Sequence, residues 1–171
     1  MDTTLSRSSS LTSAIQLPRY QEQNSPLTLR QGLAEYYASN PNLINTDEAS
    51  TAEIGAYIRN HDVTHVVFGT TTTLADEFLQ DMWTFLGVDI NKKNYIFDFL
   101  PSDESKQLFG SLQLWSTIKA IALTTPLLPK LIWRSRQMSK KWSWQNWEKY
   151  LDFPLAEIRQ EFNIRVLGAT S

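Results

Sequence analysis

Apolar residues in this chain recur at spacings of three and four and only rarely in strict alternation, so amphipathic helices, not half-buried strands, must carry its buried surface. The expected fold is all-α. At 171 residues the chain suits one compact multi-helix domain with a real hydrophobic core. Residues 1–24 are expected to form a flexible N-terminal tail, because Met1 to Ser13 is rich in Ser and Thr and lacks the apolar centre of a signal peptide. The helical domain then covers 25–171. No stretch reaches the roughly 18 consecutive apolar residues that a membrane span needs.

Along the chain, Leu29, Leu33 and Tyr36 mark a first helix, closed by the turn signal Asn40-Pro41-Asn42. Ser50-Thr51-Ala52-Glu53 has the capping-box pattern, which predicts a second helix from there to about Phe68. On it Ile54, Ile58, His61, His65 and Phe68 form one continuous stripe, so both histidines face the core side. Gly69 and the threonines Thr70 to Thr73 are poor helix formers and predict a break. Thr73 can cap a third helix, with Asp76 and Glu77 in its first turn and Leu74, Phe78, Met82 and Phe85 on its buried face; Gly87 suits its exit. Further on, Pro126 and Pro129 interrupt a greasy stretch. A last helix is predicted from Pro154 through Leu155, Ile158 and Phe162.

The chain has no cysteine, which excludes disulfides, thiolate metal sites, iron-sulfur clusters and a cysteine nucleophile. Any metal must sit on nitrogen and oxygen. Its two histidines stand four apart in His61-Asp62-Val63-Thr64-His65, which on a helix places them about 40° apart and one turn above the other, a spacing that lets two imidazoles hold one ion. Asp62 lies about 100° from His61, at the edge of that face. Glu77 would be roughly 18 Å further along an unbroken helix, out of reach. If Gly69 to Thr73 reverse the chain into a helical hairpin, Glu77 returns beside the histidines, with Asp81 one turn on as a reserve ligand or outer-shell partner. Two nitrogens with one or two carboxylates fit Zn²⁺ with an open position, and equally the two-histidine, one-carboxylate set of Fe(II) oxygenases. A bare HDxxH also fits satisfied core histidines with helix-capping acids. A metalloprotease would place glutamate after the first histidine, and a serine hydrolase would need a GxSxG elbow; neither is present.

Charge is unevenly spread. From Ser105 to Trp147 there is no Asp or Glu, while Lys106, Lys119, Lys130, Arg134, Arg136, Lys140 and Lys141 are all basic. Such a segment in an otherwise acidic chain points either to an anionic partner or to a solvated basic face. Leu112, Leu114, Ile118, Ile121, Leu127 and Leu128 either line a slot for a long isoprenoid tail or simply pack as core, with Lys130, Arg134, Arg136, Lys140 and Lys141 placed to meet a phosphate or lipid headgroup. Trp133, Trp142, Trp144 and Trp147 among these cations suit the water–lipid boundary. Nucleic acid is not expected, since the chain is acidic and carries no recognisable binding motif.

His61-Asp62-Val63-Thr64-His65, eleven residues and then Glu77 match the HDxxH-x11-E pattern of the coenzyme Q biosynthesis protein 4 family. Gly69 and Thr72 fall where that family has glycine and threonine, and Trp147-Glu148, Leu155, Arg159, Glu161 and Ile164 look like its closing helices. The resemblance extends loosely from about Leu27 to Val166. It implies an α-helical, membrane-associated protein holding a divalent metal, usually zinc, through His61, Asp62, His65 and Glu77; Fe(II) and Mg²⁺ stay open as alternatives to zinc. Two roles are implied. One is a lyase of ubiquinone (coenzyme Q) and other prenylquinone biosynthesis that removes the ring carboxyl of a polyprenylated hydroxybenzoate (C1 decarboxylation). The other is a non-catalytic isoprenoid-lipid-binding scaffold that organises a quinone-biosynthesis enzyme complex. Expected partners are a polyprenylated quinone precursor, a membrane surface, other quinone-biosynthesis proteins and further copies of this chain as a homo-oligomer. The expected location is cytoplasmic and peripheral on the membrane, or the matrix side of the mitochondrial inner membrane in a eukaryote. In one departure, the family commonly has glycine where this chain has Asp76, a carboxylate that either adds a ligand or outer-shell group, alters metal preference or caps the helix.

Overall fold

The computed structural model describes residues 17–43, 52–91 and 114–168, and over these the protein is all-α. Six helices follow one another among the described residues: α1 (Leu29–Ser39), α2 (Ala52–Phe68), α3 (Leu74–Gly87), α4 (Leu114–Thr124), α5 (Leu128–Arg136) and α6 (Leu155–Phe162). Short 3-10 turns occupy Arg19–Gln21, Thr125–Leu127 and Glu148–Tyr150. Helix α3 is central, since it packs against α2 on one side and α4 and α5 on another, while α1 covers α2. Among the described residues no helix is long and apolar enough to cross a membrane.

Local sequence accounts for most helix ends. Thr28 and Gln31 make a reciprocal capping box at the start of α1, which satisfies two otherwise orphaned amides. The box expected at Ser50–Glu53 begins outside the described residues. Thr73 accepts from the Asp76 amide and starts α3 as its spacing predicts. Pro126 lies in the 3-10 turn after α4, and Pro129 occupies the first turn of α5, where its missing N–H costs nothing. Pro154 is the N-cap of α6, one place earlier than predicted, and Asn163 ends that helix in the left-handed region at φ 52°.

The chain is already tied down before residue 25. Tyr20 is buried in the main core and the Glu35 carboxylate accepts from the Arg19 and Tyr20 amides, so the packed unit starts upstream of the expected boundary. Met1 to Ser13 lies outside the described residues. Three tryptophans expected at a lipid boundary are instead core: Trp142, Trp144 and Trp147 are buried, with Trp142 packed against Tyr150 and Phe162. Their large apolar rings contribute more inside than the neighbouring cations do by holding them at the surface. Trp133 alone of these four is exposed, at 52%.

Helix α3 also turns a different face inward from the one its apolar residues suggest. Leu79, Gln80, Trp83, Thr84 and Gly87 are buried, whereas Leu74, Phe78, Met82 and Phe85 are only partly so. The stripe is rotated because polar Gln80 and Thr84 have hydrogen-bond partners in the interior.

One cation locks the end of α2. Arg159 is completely buried and donates to the carbonyls of Val66 (2.8 Å), Val67 (2.9 Å), Tyr20 (2.6 Å) and Glu22. Val66 and Val67 belong to the last turn of α2, whose carbonyls have no helical partner and sit at the negative end of its dipole. Burial lowers the guanidinium pKa to about 10, which leaves it charged at neutral pH.

Gly69 then reverses the chain at φ +71°, a conformation that glycine adopts without a Cβ clash. Its amide and that of Thr70 both bond the His65 carbonyl. A Cβ here would meet Val166 Cγ1 at 2.9 Å. Gly69→Ala is therefore expected to cost about 2–4 kcal/mol, from the left-handed backbone and the overlap together, read as a lowered urea midpoint.

Candidate metal centre

The reversal at Gly69 lays the first turn of α3 beside the last turns of α2. It is held by Thr71, whose amide and hydroxyl both donate to Asp76 Oδ2 (2.9 and 2.5 Å), by Thr72 Oγ1 donating to Asn40 Oδ1 at 2.6 Å, and by the Tyr20 hydroxyl donating to the Thr70 carbonyl. Glu77, twelve residues after His65 in sequence, thereby reaches both imidazoles. Its Oε2 lies 3.4 Å from His65 Nε2 and 3.9 Å from His61 Nε2, and the three ligand atoms all fall within 4.8 Å of one another.

These separations suit an ion. Neighbouring ligands on a tetrahedral zinc with bonds of about 2.0–2.1 Å are about 3.3 Å apart. His65 Nε2 is buried, and the one polar group it approaches, Glu77 Oε2 at 3.4 Å, is itself a candidate ligand, as expected of a nitrogen facing a cation site. Two imidazole nitrogens and one carboxylate also form the donor set preferred by zinc and by non-haem Fe(II). The residues present therefore fit a divalent metal.

Exposure is graded across the site. The His65 side chain is 0% exposed, His61 14% and Glu77 21%, so the fourth side, where a ligand can approach, lies along His61 and Glu77. Burial, reinforced by neighbouring His65 and opposed by Glu77, lowers the His61 pKa to about 4, leaving it neutral and able to coordinate at ordinary pH. Burial pushes His65 down too, but the charges of Glu77, Asp62 and Asp81 carry it above the usual imidazole value. Burial raises Glu77, and the two histidines reverse this and hold its carboxyl below the usual range.

Asp62, implied as a fourth ligand by the resemblance, is not among the three converging groups. Its Oδ1 accepts from the Tyr36 hydroxyl at 3.4 Å and its Oδ2 from the Tyr37 hydroxyl at 3.2 Å, turned toward α1. The 100° step from His61 carries it round the helix to that neighbour. Tyr36 also stacks on the His65 ring with centroids 5.5 Å apart. Asp76 serves the turn through Thr71 rather than the histidines. Asp81 is half-buried one turn beyond Glu77, and its charge raises the pKa of both His65 and Tyr57.

Desolvation raises the Asp62 carboxyl from 3.8 to about 6, against the lowering effects of His65 and the two tyrosines. The folded state thus binds this proton more tightly than the unfolded chain does. The corresponding stability is present below pH 4 and lost as pH rises through 6, on the order of 2 kcal/mol. In metal-free protein, the stability of Asp62→Asn relative to wild type should rise by that amount between pH 4 and pH 7, measured by urea denaturation.

The expected lipid slot is only partly within view. Leu112 lies outside the described residues, and Leu114 begins α4. Ile118 and Ile121 are 47% and 45% exposed on α4, while Leu127 and Leu128 pack against the main core. Leu123 on α4 and Ile132 and Trp133 on α5 are exposed as well. Of the expected headgroup cations, Lys130, Arg136, Lys140 and Lys141 are exposed. Two have structural partners: Arg134 donates to the Val166 and Arg165 carbonyls, and Lys140 pairs with Glu161 at 2.5 Å. A cleft of about 350 Å³ opens along the first half of α2, lined in part by Glu53, Tyr57, Asn60, Asp89 and Trp144, but its carboxylates and amides do not suit an isoprenoid tail.

The groups that sequence reasoning missed are Thr64, Thr70 and Gln80, which join His65 in a buried hydrogen-bonded chain. The signal available was the placement of Thr70 inside the turn and of Gln80 one turn after Glu77. No family model, curated protein or solved structure compared with this chain matches it.

Proposed function

We propose that this chain is a metal-dependent protein of prenylquinone biosynthesis that removes the ring carboxyl of a polyprenylated hydroxybenzoate, holding a divalent cation, zinc foremost, on His61, His65 and Glu77. The observation that carries this reading is the meeting of those three ligand atoms within 4.8 Å on the same residues that match the HDxxH-x11-E pattern. A bound divalent cation supplies Lewis acidity toward oxygen charge developing on the substrate. The chain's own residues do the rest. His65, sealed beneath Tyr36, excludes water from the inner side, and the partly exposed His61 and Glu77 leave one side for the substrate head group.

The test is elemental analysis of purified protein together with turnover of a prenylated hydroxybenzoate by wild type and Glu77→Ala. About one metal ion per chain and loss of product in the variant are expected; metal-free protein with full turnover would overturn the proposal.

A scaffold reading draws on a different observation, the exposed Ile118, Ile121, Leu123, Ile132 and Trp133 beside exposed Lys119 and Lys130. Apolar side chains next to cations fit an anionic lipid surface, which agrees with a peripheral membrane protein that gathers other quinone-biosynthesis enzymes. Lipid flotation retained by a wild type without turnover would favour it.

A further inference from the structure

The buried chain of hydrogen bonds behind His65 has only one self-consistent direction. Thr64 Oγ1 lies 2.6 Å from the His61 carbonyl, which can only accept, so the Thr64 hydroxyl spends its hydrogen there. Toward Gln80, also at 2.6 Å, Thr64 must then accept, and the Gln80 atom facing it must be the amide Nε2. That nitrogen also reaches Thr84 Oγ1 at 3.4 Å. The Gln80 carbonyl Oε1 is thereby turned to Thr70 Oγ1 at 2.7 Å, and Thr70 must donate to it. Thr70 has no hydrogen left for His65 Nδ1 at 2.9 Å and so accepts from it.

We infer that Gln80 is a positioning residue: acting through Thr70, it keeps the hydrogen of His65 on Nδ1 and so forces the neutral imidazole to present its lone pair at Nε2, the atom facing Glu77 and His61. This inference rests on the metal reading for its purpose but not for its hydrogen-bond logic. A metal-bound histidine is commonly oriented through its second ring nitrogen by a carboxylate or a backbone carbonyl. Here the anchor is a hydroxyl whose own direction is set by a glutamine on the facing helix. The His61 carbonyl is the origin of the chain, so the histidine on the open side helps to order the one on the closed side.

Gln80→Leu removes the acceptor for Thr70, which is then free to donate to His65 Nδ1 and so move the ring hydrogen to Nε2. Thr70→Val removes the acceptor for Nδ1–H, whereas Thr70→Ser keeps it. Long-range ¹H–¹⁵N spectra of the metal-free proteins, recorded above the imidazole titration, should show His65 as the Nδ1–H tautomer in wild type and Thr70→Ser, and shifted toward Nε2–H in Gln80→Leu. Zinc affinity by chelator competition should fall about 10–100-fold in Gln80→Leu and Thr70→Val and stay near wild type in Thr70→Ser. An Nε2–H tautomer in wild type, or undiminished zinc affinity in a folded Gln80→Leu, would overturn the inference. If the wild type binds no zinc, the metal reading fails, while the tautomers still decide the role of Gln80: an unchanged Nδ1–H tautomer in a folded Gln80→Leu would overturn it. If Gln80→Leu does not fold, Gln80→Met, which also lacks the acceptor for Thr70, takes its place in the same measurements.

Discussion

Replacing Arg159 by methionine is expected to destabilise the fold by about 3–5 kcal/mol, a large share of what a domain of this size possesses. The methionine can fill the space, but the carbonyls of Tyr20, Val66 and Val67 lose their donor in the buried interior, and the part-buried bond to the Glu22 carbonyl is lost with them. Each buried acceptor left without a partner costs about 1–3 kcal/mol, less whatever local relaxation recovers. Arg159→Lys should recover only part of the loss, because a single ammonium cannot span the carbonyls of Tyr20, Glu22, Val66 and Val67 as the planar fork does. Urea unfolding of the metal-free proteins checks this. A loss below about 1 kcal/mol for the methionine variant would remove the guanidinium from its assigned role.

Glu77→Gln is expected to lower metal affinity by at least about 100-fold, since loss of a direct ligand should exceed what changing an outer-shell partner typically costs. The amide keeps the shape of the side chain, so the variant should remain folded by circular dichroism. A second effect has a fixed sign. Burial alone pushes the His65 pKa down, and Glu77 is the foremost of the charges that lift it above its usual value. Without that charge the imidazole should titrate at lower pH, visible by NMR. Unchanged zinc affinity in the folded variant would show that the glutamate is no ligand.

The first three helices and the hairpin were legible because each rests on local chemistry. Thr73 caps α3, Gly69 reverses the chain, and two prolines divide the greasy stretch between α4 and α5. The meeting of Glu77 with the histidines followed from that reversal. Where the reading failed, the deciding partner was distant in sequence. Gln80 and Thr84 look like surface residues until Thr64, on α2, is seen to satisfy Gln80. Asp62 shares an edge with His61, yet the tyrosines of α1 claim its oxygens. Trp142, Trp144 and Trp147 sit among cations in sequence and among aromatic and apolar side chains in space.

The contacts of Arg159 span 92 and 93 residues to α2, and 137 and 139 to Glu22 and Tyr20. Helical proteins usually fold fast because their contacts are short-range, and closing loops of this length has an entropic cost that must be met before the bonds reward it. If these bonds form after the rate-limiting step, their strength governs the escape rate from the native state far more than the speed of reaching it. The same guanidinium would then set how long the hairpin stays assembled once formed.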